Sequence, residues 1–156
     1  MLKFLLCAAI LVLCTACAFL FTRKYRMRKD FYYNFLLFNT RLANEVSYTR
    51  IPLPSFLEKY RFDGDFARML EKKKKSDFAE GTDVFSYLNQ DENKFLGDYF
   101  RMIGRSDAAS QKAYLLSVRQ ELEDKKKKCE EQYSSYFSLF LKLGFLAGLI
   151  LVILIV

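Results

Sequence analysis

The chain contains no histidine and no tryptophan, and only two prolines, four cysteines and six glycines among its 156 residues. Without histidine there is no Ser-His-Asp or Cys-His arrangement, no imidazole metal ligand and no proton shuttle working near neutral pH. The glycines stand at 64, 81, 97, 104, 144 and 148. None of them builds a GxxxxGK loop or a GxGxxG turn, so the phosphate cradles of nucleotide enzymes are missing. Cys7, Cys14 and Cys17 lie in an apolar stretch and Cys129 in a charged one. Cys14 and Cys17 have CxxC spacing, but within an apolar stretch they read as small packing residues, so neither a disulfide nor a metal site is expected. These absences argue against an enzyme, a cofactor and a small-molecule substrate.

A mean hydropathy of -0.02 resembles that of an ordinary soluble protein, yet the average hides the arrangement. Phe4 to Thr22 is 19 residues without a charge, and Leu143 to Val156 is another 14. All 18 acids and all bases but Lys3 and Lys142 lie between Arg23 and Ser135, a segment of net charge +5. A helix rises ~1.5 Å per residue and hydrocarbon is ~30 Å thick, so about 20 residues cross it. Phe4 to Thr22 is just long enough. The second run becomes long enough when extended back through Lys142 to Tyr136, with the Lys142 ammonium reaching the interface and Tyr133 and Tyr136 in an aromatic belt.

Arg23, Lys24, Arg26, Arg28 and Lys29 follow the first run at once, and such a flank stays cytoplasmic. Two spans around it place both termini outside and the middle in the cytoplasm. Two alternatives compete with this anchor. Cys14-Thr15-Ala16-Cys17 resembles a lipoprotein cleavage box, which would make the chain a membrane-anchored lipoprotein or another binding protein; a cleaved secretory signal is the other. The basic flank opposes both.

In the middle, Phe31, Phe35, Phe38, Leu42 and Val46 recur in steps of 4, 3, 4 and 4, one face of an amphipathic helix over Lys24 to Thr49. Pro52 closes it and Pro54 opens a short second helix through Phe56, Leu57 and Tyr60. Asp65 can cap a third helix with Phe66, Met69 and Leu70. Thr82 can cap a fourth with Val84, Phe85 and Leu88, and Asp91 a fifth with Phe95, Leu96, Tyr99, Phe100 and Ile103. Gly104 is a stop and Ser106 a cap for the sixth. That last pattern runs through Leu115, Val118, Leu122, Cys129, Tyr133, Phe137 and Phe140 and is expected to continue unbroken into the second span. The expected fold is therefore all-α: a cytoplasmic antiparallel bundle of about six helices (23–135) between transmembrane helices at 1–22 and 136–156.

Three features bear on function. Lys72–Lys75 and Lys125–Lys128 could meet anionic lipid headgroups or an acidic partner, but four successive helical residues point around the whole axis, about 100° apart, so neither run forms a stripe. Lys128 would also lie ~12 Å from the membrane, beyond a Debye length. Solvated surface is the plainer account, and scattered charge disfavours nucleic acid. Gly144 and Gly148 form a GxxxG pair that lets another helix approach closely in lipid, with the chain's own first span as one possible partner. Asp107 and Gln111 stand one turn apart at the start of the sixth helix, where an acid suits the helix dipole.

Taken in order, Glu45-Val46-x-Tyr48, Pro52-Leu53-Pro54, Leu96 through Ile103-Gly104-Arg105-Ser106-Asp107-x-x-x-Gln111, and Gly144-x-x-x-Gly148-Leu149-x-x-Val152-Ile153 resemble the stage III sporulation protein AB family of endospore-forming bacteria. The resemblance implies a helical domain like the cytoplasmic domain of type II secretion and type IV pilus inner-membrane platform proteins. It implies a place in the mother-cell membrane around the forespore, in a secretion-like complex linking the two compartments. It further implies partnership with that complex's ATPase and its other membrane subunits, without catalysis by this chain. On this reading Gly144 and Gly148 pack in the membrane. Pro52 and Pro54 set the first corner, and Gly104, Asp107 and Gln111 the junction before the last helix. Three cysteines in the first span, an aromatic-rich first helix and the Lys72–Lys75 run depart from the family pattern.

Overall fold

A computed structural model describes residues 2–48, 52–78, 81–103 and 107–155, with the side chains of 2–8, 10, 11, 14, 48, 151, 154 and 155 outside the description. The described residues form five α-helices and no strand: α1 (Leu2–Tyr48), α2 (Leu53–Lys59), α3 (Gly64–Lys75), α4 (Gln90–Met102) and α5 (Ala108–Ile155). They divide into two units, one of Met27–Lys128 and one of Met1–Arg26 with Cys129–Val156.

In the unit of Met27–Lys128, one stripe of α1 backs all the other helices. Phe31, Phe35, Phe38 and Leu42 are buried there, as their spacing predicts, while Val46 at the end of the stripe is half-buried. Phe38 is fully enclosed and its ring centroid lies 5.5–6.3 Å from those of Phe56, Phe62, Phe66, Tyr99 and Phe100. Phe66 of α3 meets Phe31 at 5.3 Å and Phe35 at 5.4 Å. Leu115, Val118 and Leu122 close the core from α5. Edge-to-face ring pairs add about 0.5–1.5 kcal/mol each beyond the area they bury, so this cluster ties together segments that are far apart in sequence.

The helix boundaries follow local chemistry. At α3 the chain enters through Gly64 with φ +66°, a left-handed conformation suited to glycine. Asp63 occupies the cap position and Asp65, the expected cap, falls in the first turn. At α4 the cap is Asn89 rather than Asp91: Asn89 Oδ1 accepts the Glu92 N–H at 2.8 Å and Glu92 Oε2 accepts the Asn89 N–H at 2.9 Å, a reciprocal capping box.

The expected fourth bundle helix does not form. Residues 81–89 hold bends and turns instead, because Asn93 pairs with their backbone. Its Oδ1 accepts the Phe85 N–H at 2.9 Å, and its Nδ2 donates to the carbonyls of Phe85 and Leu88, both at 3.2 Å, and of Asn89 at 3.0 Å. A seven-residue helix nucleates poorly by itself, and these bonds satisfy the same groups in another shape. The six expected bundle helices thus become five, the first and last being parts of α1 and α5.

In the unit of Met1–Arg26 and Cys129–Val156, α1 and α5 run antiparallel. Phe21 stacks on Phe140 at 5.8 Å and Tyr25 on Tyr136 at 4.3 Å, so between these two stacks the chain steps up α1 and down α5. Phe19 meets Phe137 at 5.5 Å. The Thr22 hydroxyl donates back to the Ala18 carbonyl at 3.0 Å, leaving this buried polar group satisfied within its own helix. Among the described residues one helix is long and apolar enough to cross a membrane, over Ala108–Ile150. The apolar residues at its end are mostly exposed. In the other expected span, Phe4 to Thr22, the side chains of 4–8, 10, 11 and 14 fall outside the description.

Replacing Phe38 by Ala is expected to lower unfolding stability by about 3–5 kcal/mol, read as a lower denaturation midpoint of the full chain in detergent. Replacing Val84, which is 81% exposed, should leave it within about 0.5 kcal/mol.

Candidate functional site

The residues singled out in the sequence fall at three places in the fold. The first is the corner between α1 and α2. Pro52 precedes α2 in an extended conformation and its carbonyl accepts the Phe56 N–H at 3.0 Å; Pro54 lies in the first turn, where a missing N–H costs nothing. This start drives Phe56 under Phe38.

The other side of the corner is held by polar residues of α1 that pattern alone did not single out. Glu45 is buried, and its Oε1 accepts from Lys59 Nζ and, at 2.6 Å, from the Tyr60 hydroxyl. The Glu45 bond raises the Lys59 pKa above its ordinary value. Arg41 donates to the Arg61 carbonyl at 3.1 Å and covers the rings of Tyr60 and Phe62 at 5.0 and 5.5 Å. Asn34 Oδ1 accepts the Asp63 N–H at 3.0 Å. Asn34, Arg41 and Glu45 thus form a ladder that fixes residues 59–63. Beside it lies a pocket of about 360 Å³ whose lining includes Leu57, Phe62, Ala67 and Leu70 with the charged Arg61 and Glu71.

The second place is the start of α5. Asp107 Oδ2 accepts the N–H groups of Ala109 at 3.1 Å and Ser110 at 3.2 Å, and its carbonyl accepts that of Gln111 at 2.9 Å. Hydrogen bonds from Ser110 hold the Asp107 carboxyl below the usual carboxylate range. Asp107 therefore acts as the helix cap, and Gln111 is buried one turn on. Gly104 and Ser106 lie outside the described residues.

The third place is the apolar part of α5. Phe137, Phe140, Gly144, Gly148 and Val152 follow at steps of 3, 4, 4 and 4, all half-buried except Gly148, which is buried, while Leu139, Leu141, Leu143, Phe145, Leu146, Leu149 and Ile150 are exposed. Because Phe137 and Phe140 meet Phe19 and Phe21, the glycine pair lies on the α1-facing side.

Two buried polar groups in the core were also missed. Asn39, wholly enclosed, accepts from the Tyr99 hydroxyl at 2.9 Å and donates to the Leu115 carbonyl at 2.9 Å, joining α1, α4 and α5. Burial pushes the Tyr99 hydroxyl well above its ordinary pKa. Glu92 meets Arg28 of α1 at 2.6 Å. Burial alone would raise the Glu92 pKa, but bonds from the Asn89 N–H, Arg28 and Tyr32 outweigh it and hold the group ionised below the usual range. The available signal was a polar residue inside an apolar stripe, at 34, 39 and 45.

The lysine runs are mostly engaged within the chain. Lys72 pairs with Asp83 at 3.0 Å and Lys74 with Glu58 at 2.8 Å, while Lys73 is buried over the Phe100 ring at 5.1 Å. Lys125 pairs with Glu121 at 3.2 Å and lies over Phe95, and Lys126 over Tyr33. Successive lysines reach different neighbours, as four consecutive helical positions must.

Asn39→Leu is expected to cost about 2–4 kcal/mol, because it leaves Tyr99 and the Leu115 carbonyl buried without this partner. Adding Tyr99→Phe should recover part of the loss, a coupling readable in a double-mutant cycle. A carboxylate whose folded pKa is depressed contributes stability that is present above its unfolded pKa of ~4.3 and lost as pH falls through the folded value. Glu92→Gln should therefore flatten the acid limb of the melting temperature against pH below about pH 5.

A family model described as stage III sporulation protein AB matches residues 3–156. No curated protein and no solved structure matches the chain.

Proposed function

The chain belongs to the stage III sporulation protein AB family, and from that premise we propose that it is a non-catalytic platform subunit of a sporulation secretion-like complex in the mother-cell membrane. The observation that carries this reading is the unbroken course of α5 from a bundle core at Leu115–Leu122 to an apolar, exposed stretch at Leu139–Ile150. Such an element suits a part that holds subunits together or passes on displacement, which asks for fixed junctions rather than reactive groups.

The proposed layout has membrane helices at 1–22 and 136–156, a cytoplasmic bundle at 23–135 and both termini outside. Gly144 and Gly148 serve the packing of the two spans. The Glu45 ladder with Pro52 and Pro54, and the Asp107 cap with Gln111, keep the bundle's corners in place for docking a secretion-type ATPase. Lipid contact passes from Lys72–Lys75, which are largely spoken for, to Arg23 and Lys24, exposed beside the Tyr25–Tyr136 stack.

Functional tagged protein, solubilised from sporulating cells, should co-purify with an ATPase of the secretion type. Repeated purification of the intact complex without any ATPase would sink the docking reading. Topology needs a better probe than Cys129, which is only 3% exposed. A cysteine placed at exposed Lys75 in a chain lacking the natural cysteines should resist a membrane-impermeant thiol reagent until the membrane is permeabilised; reaction beforehand would reverse the assignment.

A further inference from the structure

The face of α5 turned away from α1 carries an unexpected polar line. Glu131, Ser135, Ser138 and Lys142 follow one another in steps of 4, 3 and 4, and all four are exposed. This is the same spacing that puts Tyr133, Phe137, Phe140 and Gly144 on the opposite side, where Phe137 and Phe140 meet rings of α1. The line ends in apolar surface: Leu146, Leu149 and Ile153 continue it as exposed hydrocarbon. Polar character thus enters the apolar stretch along one narrow track and stops at a single charge.

Lys142 lies six residues beyond Tyr136, or ~9 Å further along the axis. Side chains on a helix tilt toward its N-terminus and lie over the preceding turn. Lys142 therefore leans back over Ser138, toward the Tyr25–Tyr136 pair and away from the chain end. Among the described residues it makes no ion pair. No acid side chain occurs from Leu143 to Val156 or from Phe4 to Thr22, so these apolar segments of a second copy offer it no side-chain carboxylate.

We infer that Lys142, with Ser138 and Ser135 along its path, is a binding site for the phosphate of an anionic phospholipid. The ammonium supplies the charge, the two hydroxyls supply hydrogen bonds to phosphate oxygens, and the acyl chains lie along Leu146 and Leu149. Charge complementarity selects this occupant: lipid phosphate is an anion that the membrane interface itself supplies, without any partner protein. The site rests on the membrane reading above and adds a specific lipid position distinct from the Arg23–Lys29 flank.

The test uses the full chain in vesicles of equal phosphatidylglycerol and phosphatidylcholine, measuring the ratio of the two lipids retained after extraction by native mass spectrometry. Wild type should retain phosphatidylglycerol in excess. Lys142→Gln should lower the ratio about fivefold, the effect of one base at an anionic surface. Lys142→Arg should keep it and Ser138→Leu should reduce it, with unchanged helix content and melting temperature in all variants. An embedded chain whose Lys142→Gln ratio equals wild type overturns this site alone. So does a photo-cross-linker at position 142 that captures a second copy or another membrane subunit instead of lipid. A chain that stays in solution without detergent and never enters vesicles overturns the membrane reading, and the site with it.

Discussion

One stripe of α1 has to serve as the common wall for everything else in the unit of Met27–Lys128. Phe31, Phe35, Phe38 and Leu42 stand on it; α2, α3 and α4 set rings against it, and α5 is bonded beside it through Asn39 and the Leu115 carbonyl. Wide, flat rings suit this task. Phe38 alone meets rings from α2, the residues after it, α3 and α4. Such a wall makes the short helices dependent on the long one: α2 has seven residues, too few to persist without the surface beneath Phe56.

A purely aromatic core would hold its helices together without choosing among several rotations and registers of similar packing. The polar residues within the stripe make that choice. Asn39 can reach both the Tyr99 hydroxyl and the Leu115 carbonyl in one arrangement of α1, α4 and α5. Glu45 does the same for Lys59 and Tyr60, and Glu92 joins its own cap to Arg28. Each would be left buried and poorly satisfied in a shifted register, a penalty larger than the bond's own net contribution. The core therefore combines non-specific cohesion from rings with specificity from a few amides and carboxylates.

The faces of the helices were legible in the sequence because a period of 3.6 leaves its mark on every long element. The α1 stripe, the α4 face and the continuous α5 pattern all came from spacing alone. Caps were misplaced by two residues at α3 and α4, since Asp63, Asp65, Asn89 and Asp91 all have suitable side chains and only the three-dimensional course of the chain selects one. The helix expected from Thr82 failed for a different reason: a side chain in the next helix outcompetes its internal bonds. The α1 ladder could not be read, because its partners lie 14 to 29 residues away, although Asn34 and Glu45 amid apolar neighbours were a visible sign.

Asn93 has a consequence for the shape of the chain before it. It makes four hydrogen bonds to the stretch that precedes it, and three of them go to Phe85 and Leu88. That stretch has a turn bond of its own, from the Leu88 N–H to the Phe85 carbonyl at 3.1 Å, and α3 reaches it through Asp65 and Lys72. Its backbone is nevertheless bonded most often by Asn93. Phe85, whose backbone Asn93 holds on both sides, is thereby set 5.0 Å from the Phe31 ring, so the α1 stripe gains a contact that depends on an amide in α4. In the folded chain the shape of an earlier loop is held by a side chain of the helix that follows it.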